Sequence, residues 1–389
     1  GHTNVIKLNT LPYSIPENRP LKRALGYNED TYLNFTELTT KYKYRSEEHK
    51  VVTEDGYILT VFRIPSTCKS INRYPVLMFH GIFDSSDLWI IEGPNRGLGY
   101  IFSDNCYDVW AANHRGNRYS RKHVRLDPDT DREYWNYSFD EHGNYDLPAL
   151  IDYILAVSNR PKLLYIGHSQ GTTNFFVMAS LRPEYNKKIQ LSIHLGPVAW
   201  VGNTSSPFPL ILAPGTEFIK SLLDNTGYSE IFAKDQITHS LAEFFCQVAP
   251  ELTCGPFLTL STGYRKGTIY SETLSKAFGH LIVGTSSKDL AHFGQLVISK
   301  NFQRYDEGKK GNLRRYGTIK PPQYDISRIT SPVVLITALN DWISTIKDIK
   351  RLTNGLPNLV ENYVVPKAYW SHHNHIWGIK APKQISYVN

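Results

Sequence analysis

Gly167-His168-Ser169-Gln170-Gly171 constrains this chain more than any other stretch. It reads G-x-S-x-G. The apolar run Lys162-Leu163-Leu164-Tyr165-Ile166 precedes it, and the helix-like run Thr172-Thr173-Asn174-Phe175-Phe176-Val177-Met178-Ala179 follows. A strand that enters a helix through so few residues needs a tight turn, which holds the serine hydroxyl above the sheet. Gly167 and Gly171 fit that turn because strand and helix pass too close there for side chains. The pentapeptide alone is common in ordinary turns; the strand–turn–helix setting gives it meaning.

A serine hydroxyl is a weak nucleophile unless a base takes its proton and a third group orients the base. In this setting the partners follow in the order Ser, Asp or Glu, His. Pro332-Val333-Val334-Leu335-Ile336-Thr337-Ala338 reads as a buried parallel strand, with Leu339-Asn340-Asp341 at its carboxyl end. Carboxyl ends of strands are where open α/β sheets place their sites. Asn358 to Val365 reads as the next strand, and Ser371-His372-His373-Asn374-His375-Ile376-Trp377 follows it. Asp341 is the expected orienting acid and His372 the expected general base.

An oxyanion needs two preorganised N–H donors near the serine. Gln170, directly after the nucleophile, supplies one. The strand-like run Pro75-Val76-Leu77-Met78-Phe79 leads into His80-Gly81-Ile82-Phe83-Asp84-Ser85-Ser86. Gly81 lets the backbone turn under a substrate carbonyl, and the amide of Ile82 is the expected second donor. His80 and His168 flank this hole and are expected to line or support it, since one base suffices.

Several stretches together resemble the acid lipases of the gastric and lysosomal type and their insect relatives. They are Val51-Val52-Thr53-Glu54-Asp55-Gly56-Tyr57-Ile58-Leu59, His80-Gly81 through Asp84-Ser85-Ser86-Asp87-Leu88-Trp89, Tyr107-Asp108-Val109-Trp110 with Asn113-His114-Arg115-Gly116-Asn117, and Ser138-Phe139-Asp140-Glu141 with Tyr145-Asp146-Leu147-Pro148-Ala149. With the serine turn and the histidine segment, the resemblance covers roughly residues 25 to 385. It implies an α/β-hydrolase core, a helical cap over the site and hydrolysis of neutral lipid esters. It departs from the family's pattern near the base. The family has Asn-His-Leu-Asp-Phe where this chain has Ser371-His372-His373-Asn374-His375, and counting back from Ile376-Trp377 places the base at His372. His114 stands where the family has a serine.

Short His-rich tracts can bind metal. However, no Cys pair or H-E-x-x-H pattern accompanies His372, His373 and His375, so no metal is expected, and the chemistry needs no cofactor. His373 and His375 are expected to pack the loop or support the base.

The net charge of +7 favours anionic partners such as fatty-acid-coated droplets, micelles or acidic membrane surfaces. Nothing in the spacing of Lys and Arg points to nucleic acid. The densest basic stretch, Gly308-Lys309-Lys310-Gly311-Asn312-Leu313-Arg314-Arg315, is expected as a solvated loop. No apolar run approaches the ~20 residues of a membrane helix. Gly1-His2-Thr3-Asn4 is not an initiator sequence, and the chain is read as a mature, processed one, secreted or lysosomal. Sequons at Asn34, Asn136 and Asn203 point the same way, and the resemblance favours Asn34 as a glycosylated site. Cys246 and Cys254 resemble a family disulfide. Cys68 and Cys106 are expected as single thiols, with a bridge between them left open.

Residues 1–45 read as an N-terminal strap containing Pro12, Pro16 and Pro20. Residues 46–199 read as the first part of an α/β core, opening with a hairpin that turns at Glu54-Asp55-Gly56. Leu147, Leu150, Ile151, Ile154 and Leu155 fall on one face of a helix over Tyr145 to Val157. Strand–helix alternation means a mainly parallel sheet. Residues 200–325 lose the strand runs and read as a mainly helical cap, in which Phe208 to Ala213 is either a lipid-contacting lid or cap interior. Residues 326–389 return to the core.

The expected activity is hydrolysis of triacylglycerol or sterol ester by a serine lipase. Two alternatives stand beside it: a lipase-like lipid-binding or storage protein, and a specialised carboxylesterase or acyltransferase. The sequence leaves the oligomeric state open.

Overall fold

Runs such as Val76-Leu77-Met78-Phe79 carry no polar side chain, so a strand built from them must be covered on both faces. The computed structural model bears this out. It describes residues 19–226, 230–231, 237–281 and 283–385. Pro12 and Pro16 of the expected strap lie outside the described residues, whereas Pro20 sits in the short helix Arg19–Ala24.

The strands are β1 (Glu47–Val52), β2 (Ile58–Ile64), β3 (Val76–Phe79), β4 (Val109–Ala112), β5 (Leu163–His168), β6 (Ile189–Leu195), β7 (Glu230–Ile231), β8 (Thr285–Ser286), β9 (Val333–Ala338) and β10 (Leu359–Val365). Eight form one sheet in the order β1-β2-β4-β3-β5-β6-β9-β10. The β1–β2 and β2–β4 pairs are antiparallel and all others parallel. This is an α/β-hydrolase sheet. Side chains alternate between its faces: Leu77, Phe79, Val333 and Leu335 enter one apolar cluster, while Val76, Met78, Val334 and Ile336 enter the other.

Helices α1 (Leu147–Ser158) and α2 (Gln170–Leu181) cover the first face. α1 buries Leu147, Leu150, Ile151 and Ile154, with Leu155 half-buried at the margin. A π-helical turn, His142–Asp146, precedes it. Between β6 and β9 come α3 (Pro207–Leu212), α4 (Thr216–Thr226), α5 (Ile237–Val248), α6 (Pro250–Thr262), α7 (Ser271–His280), α8 (Ser287–Ser299) and α9 (Gly308–Tyr316). After β9 comes α10 (Ile346–Gly355).

Three expectations need correction. The basic stretch from Gly308 is helix α9 rather than a loop. Its glycines mask the signal, but Arg315 ties it down through Asp140, Glu141 and Glu307 at 2.8–3.1 Å. Cys68 and Cys106 form a disulfide with Cα atoms 5.4 Å apart, because β2 and β4 are sheet neighbours and bring their flanking loops together. The stretch without strand runs contains the short β7–β8 ladder, two residues long on each side and therefore silent to any periodicity. A second disulfide, Cys246–Cys254, joins α5 to α6. Within Phe208 to Ala213, α3 buries no residue, whereas Ala213 just after it is buried in the first apolar cluster.

Candidate active site

The sheet register assembles the site. Phe79 pairs with Gly167, Gly167 with His194, Leu195 with Ile336, and Ala338 with Val365. Loops carrying His80-Gly81-Ile82, Ser169, Asp341 and His372 therefore all leave the same edge.

Ser169 occupies the junction of β5 and α2 with φ 54° and ψ −119°. A non-glycine residue there is strained by about 1–3 kcal/mol and is held only where its surroundings over-determine it. The restraints are visible. A Cβ on Gly171 would lie 2.2 Å from the Phe79 carbonyl oxygen, so strand β3 and helix α2 can meet only at glycine. Tyr165 Oη donates to the Gly171 carbonyl at 2.6 Å, and Ser169 N–H donates to Leu195 O at 3.2 Å.

Asp341 and His372 are both buried and meet through a hydrogen bond from Nδ1 to Oδ2 of 2.7 Å. The other carboxylate oxygen, Oδ1, accepts from the amides of Ile343 (2.9 Å) and Ser344 (3.0 Å). Burial alone would push the Asp341 carboxyl up. The His372 ring and the Ser344 amide outweigh it and hold the group below the usual carboxylate range. His372 Nε2, the nitrogen a nucleophile would use, is buried and has no partner among the described residues. The ring lies at the end of β6: a Cβ on Gly196 would come 3.0 Å from His372 Nδ1. His168, the residue before Ser169, donates from Nε2 to the His372 carbonyl at 3.0 Å.

The loop after β3 touches the serine. A Cβ on Gly81 would lie 3.0 Å from Ser169 Cβ and 3.5 Å from its Oγ. His80 Nδ1 donates to the Gly81 carbonyl at 2.7 Å, which fixes the peptide plane carrying the Ile82 N–H. Phe83 O accepts from Val283 N at 3.0 Å, anchoring the loop's far side. Gln170 is the first residue of α2, and the opening amides of a helix have no intrahelical acceptor. The helix dipole adds positive potential there.

Four other histidines around the serine, His80, His168, His373 and His375, are neutral. Burial holds His80 and His168 well below the ordinary imidazole value, and lowers His373 and His375 to about 3. His373 stacks on Trp377, and His375 Nδ1 accepts from Trp370 Nε1 at 3.1 Å. Among the described residues no group of three or more His, Cys, Asp or Glu side chains is arranged to hold a metal ion. The sequons differ in setting. Asn34 caps the helix Phe35–Lys41 by accepting from Glu37 N at 2.9 Å. Asn136 is exposed, and exposed Asn203 donates to Asp348 Oδ1 at 2.9 Å.

Two further residues bond to these loops, Asn374, which stands where the family has an aspartate, and Asp289, which the sequence reading missed. Asn374 Oδ1 accepts from the Ser371 amide and hydroxyl, at 2.9 and 2.6 Å, while its Nδ2 donates to Thr268 Oγ1 at 3.1 Å and ties down the loop that carries His372. Asp289, on α8, accepts from the Gln170 side chain. The only local signal at Asp289 is Ser286-Ser287-Lys288-Asp289, a helix-start pattern that carries no hint of a site.

Comparison with known proteins agrees with this geometry. Residues 35–93 match the family described as a partial alpha/beta-hydrolase lipase region, and residues 74–378 match the alpha/beta hydrolase fold. Lipase 1 of Drosophila melanogaster is 36% identical over 372 residues, covering 95% of this chain and 81% of that one. Gastric triacylglycerol lipase of Mus musculus is 36% identical over 364 residues, covering 92% and 91%. A putative lysosomal acid lipase/cholesteryl ester hydrolase of Crotalus adamanteus is 34% identical over 370 residues, covering 94% and 91%. Among solved structures, a thermophilic esterase from Thermogutta terrifontis aligns with TM-score 0.50 at 13% identity, over 88% of this chain and 96% of that one, which speaks to the fold alone. A serine turn at this sheet edge and relatives matched over nearly their whole length lead to one assignment: the chain belongs to the α/β-hydrolase lipases of the gastric and lysosomal acid lipase kind and is a carboxylic ester hydrolase.

Proposed function

We propose that this protein is a serine lipase that hydrolyses neutral lipid esters, triacylglycerol or sterol ester, through Ser169, His372 and Asp341. The observation that carries the reading is the buried 2.7 Å Asp341–His372 bond, which leaves Nε2 unpartnered at the sheet edge bearing Ser169.

In this scheme Ser169 Oγ attacks the ester carbonyl carbon while His372 Nε2 takes its proton. The carbonyl π bond becomes an oxyanion held by the amides of Ile82 and Gln170, each contributing about 3 kcal/mol of transition-state stabilisation. Collapse breaks the bond to the alcohol oxygen, which leaves with the proton from His372. Water then attacks the acyl-serine by the same route, giving back its proton through His372 and releasing the fatty acid. Asp341 fixes the Nδ1–H tautomer throughout and stabilises the imidazolium.

We read residues 200–325 as the cap. Ile211 on α3, Phe218 on α4 and Leu252 on α6 are 74–75% exposed. Apolar side chains standing this far into solvent suit a lipid surface. Among the described residues no helix is long and apolar enough to cross a membrane, and the reading is of peripheral contact. The gastric and lysosomal names of the relatives favour secretion or lysosomal residence, with Asn34, Asn136 and Asn203 as glycan acceptors.

The test is hydrolysis of a chain-length series of p-nitrophenyl esters and of emulsified triacylglycerol, with Ser169→Ala as control. Serine-dependent turnover rising with chain length is the expected result. Turnover of short chains only would replace the reading with a specialised esterase. Near-normal turnover by Ser169→Ala would remove the mechanism, and no turnover by either protein would leave lipid binding or storage.

A further inference from the structure

Asp289 lies 119 residues from Gln170 in sequence, yet both its carboxylate oxygens accept from Gln170 Nε2, at 2.8 and 2.7 Å. It opens helix α8, and its own amide bonds Ser286 Oγ at 3.0 Å. Thr285 Oγ1 donates to Oδ2 at 3.0 Å. Ser286 Oγ in turn donates to the Tyr137 carbonyl. The carboxyl is fully buried and held on a rigid corner where the β7–β8 ladder, α8 and the start of α2 meet.

Resting on the reading of Gln170 N–H as an oxyanion donor, we propose that Asp289 is a positioning residue. It holds the first residue of α2 by the side chain so that the backbone amide stays aimed at the developing oxyanion.

The tether is also sensitive to protonation. Burial pushes the Asp289 carboxyl up to about 7, against the opposing bonds from Gln170 and Thr285. Among the described residues no cation from the surrounding elements closes on it. Lys288, its neighbour on α8, turns to Asn136 Oδ1 and Glu307 Oε1, at 3.0 and 2.9 Å. His292, one turn along, is held by Ser138 Oγ and Gln303 O, both at 2.8 Å. From the segment before α1, Asp140 is paired with Arg304 and Arg315, and Glu141 with Arg315, and Glu141 raises the Asp289 carboxyl further. Tyr137 presents a buried phenol, and Glu230 on β7 is paired with Arg121.

The neutral acid therefore persists to about pH 7. Gln170 Oε1 is buried with no partner among the described residues, so it can accept from the acid's O–H when amide and carboxyl stand face to face. The anion can only accept. It also places a negative charge one glutamine side chain from the oxyanion, opposing the charge that the site must stabilise.

The experiment measures kcat and KM on p-nitrophenyl butyrate across pH for the full chain and for Asp289→Ala, Asp289→Asn and Gln170→Ala. Asp289→Ala should lower kcat at acid pH on the order of 10- to 100-fold with KM within about twofold. The Gln170→Ala and Asp289→Ala losses should not add. Asp289→Asn mimics the neutral acid, with a donor for Oε1 and an acceptor for Nε2. It should restore kcat at acid pH and hold it past about pH 7, where the wild type declines. An Asn variant whose profile superimposes on the wild type, or an Ala variant with unchanged kcat, overturns the proposal. Should the Ala variant fail to fold, the Asn profile still decides. Ser169→Ala in parallel separates the two claims: if it abolishes turnover while the Asp289 variants are silent, only the positioning role is lost.

Discussion

Asp341 binds His372 with one carboxylate oxygen and two backbone amides, of Ile343 and Ser344, with the other. The acid is thus fixed in orientation by the turn after β9 before it ever meets the imidazole. An asparagine in its place keeps the shape but lets its amide N–H₂ face Nδ1, which flips the tautomer and puts the proton on the working nitrogen. Asp341→Asn should therefore lower kcat on the order of 10⁴-fold with little change in KM. A loss confined to KM, measured on a soluble ester, would show that Asp341 serves binding instead.

Gly171 is where β3 and α2 touch. A methyl group there would come 2.2 Å from Phe79 O and 2.8 Å from His80 O, both backbone atoms that cannot swing aside. Relief must move α2 away from β3, and with it the Ser169 hydroxyl and the Gln170 amide. Gly171→Ala should lose at least about 3 kcal/mol of stability in urea melts, and any folded fraction should be nearly inactive. A variant with wild-type midpoint and activity would contradict the close approach.

His194 lies in the core under the site, stacked on Phe176 at 4.5 Å, with Nδ1 buried and unpartnered among the described residues. Burial lowers its pKa to about 3. A histidine depressed in the folded state contributes stability that is complete above the unfolded pKa and is lost as pH falls from there toward the folded value. At about pH 5 the unfolded chain binds a proton there that the folded chain refuses, a cost of about 2 kcal/mol. His194→Phe keeps the ring stack and removes the titration. Its urea midpoint should exceed the wild type's more at acid than at neutral pH. An equal difference at both would mean that packing alone is responsible.

Ser169, Asp341, His372 and the Gly81-Ile82 loop could be picked out as candidates because each follows a strand written in plain apolar letters, and the parallel register aligns those strand ends. The His372 assignment among three neighbouring histidines rested on Ile376-Trp377, and the structure places that ring on Asp341 while His373 and His375 pack against Trp377 and Trp370. Asp289 was illegible because its partner is remote and its local pattern is that of any capped helix. The Cys68–Cys106 bridge was hidden for a related reason: it depends on β2 and β4 being neighbours, which no periodicity reveals. Helix α9 was masked by its glycines, and two of the three carboxylates that hold Arg315, those of Asp140 and Glu141, lie 175 and 174 residues away in sequence.

Ile211, Phe218 and Leu252 stand exposed on α3, α4 and α6, and none of them contributes to either core cluster. In water each exposed apolar side chain forgoes about 1.5–3 kcal/mol that burial would supply. On the proposed reading that stabilisation is recovered at a lipid surface. Replacing all three by serine should leave the thermal midpoint and the hydrolysis of soluble p-nitrophenyl butyrate near wild type. Turnover of emulsified triacylglycerol and sedimentation with anionic vesicles should fall at least about tenfold, since losing even 1.4 kcal/mol of surface affinity costs that factor. Equal losses on soluble and emulsified substrate would place these side chains in the acyl-binding path. No loss on either would assign the exposed faces to something other than lipid.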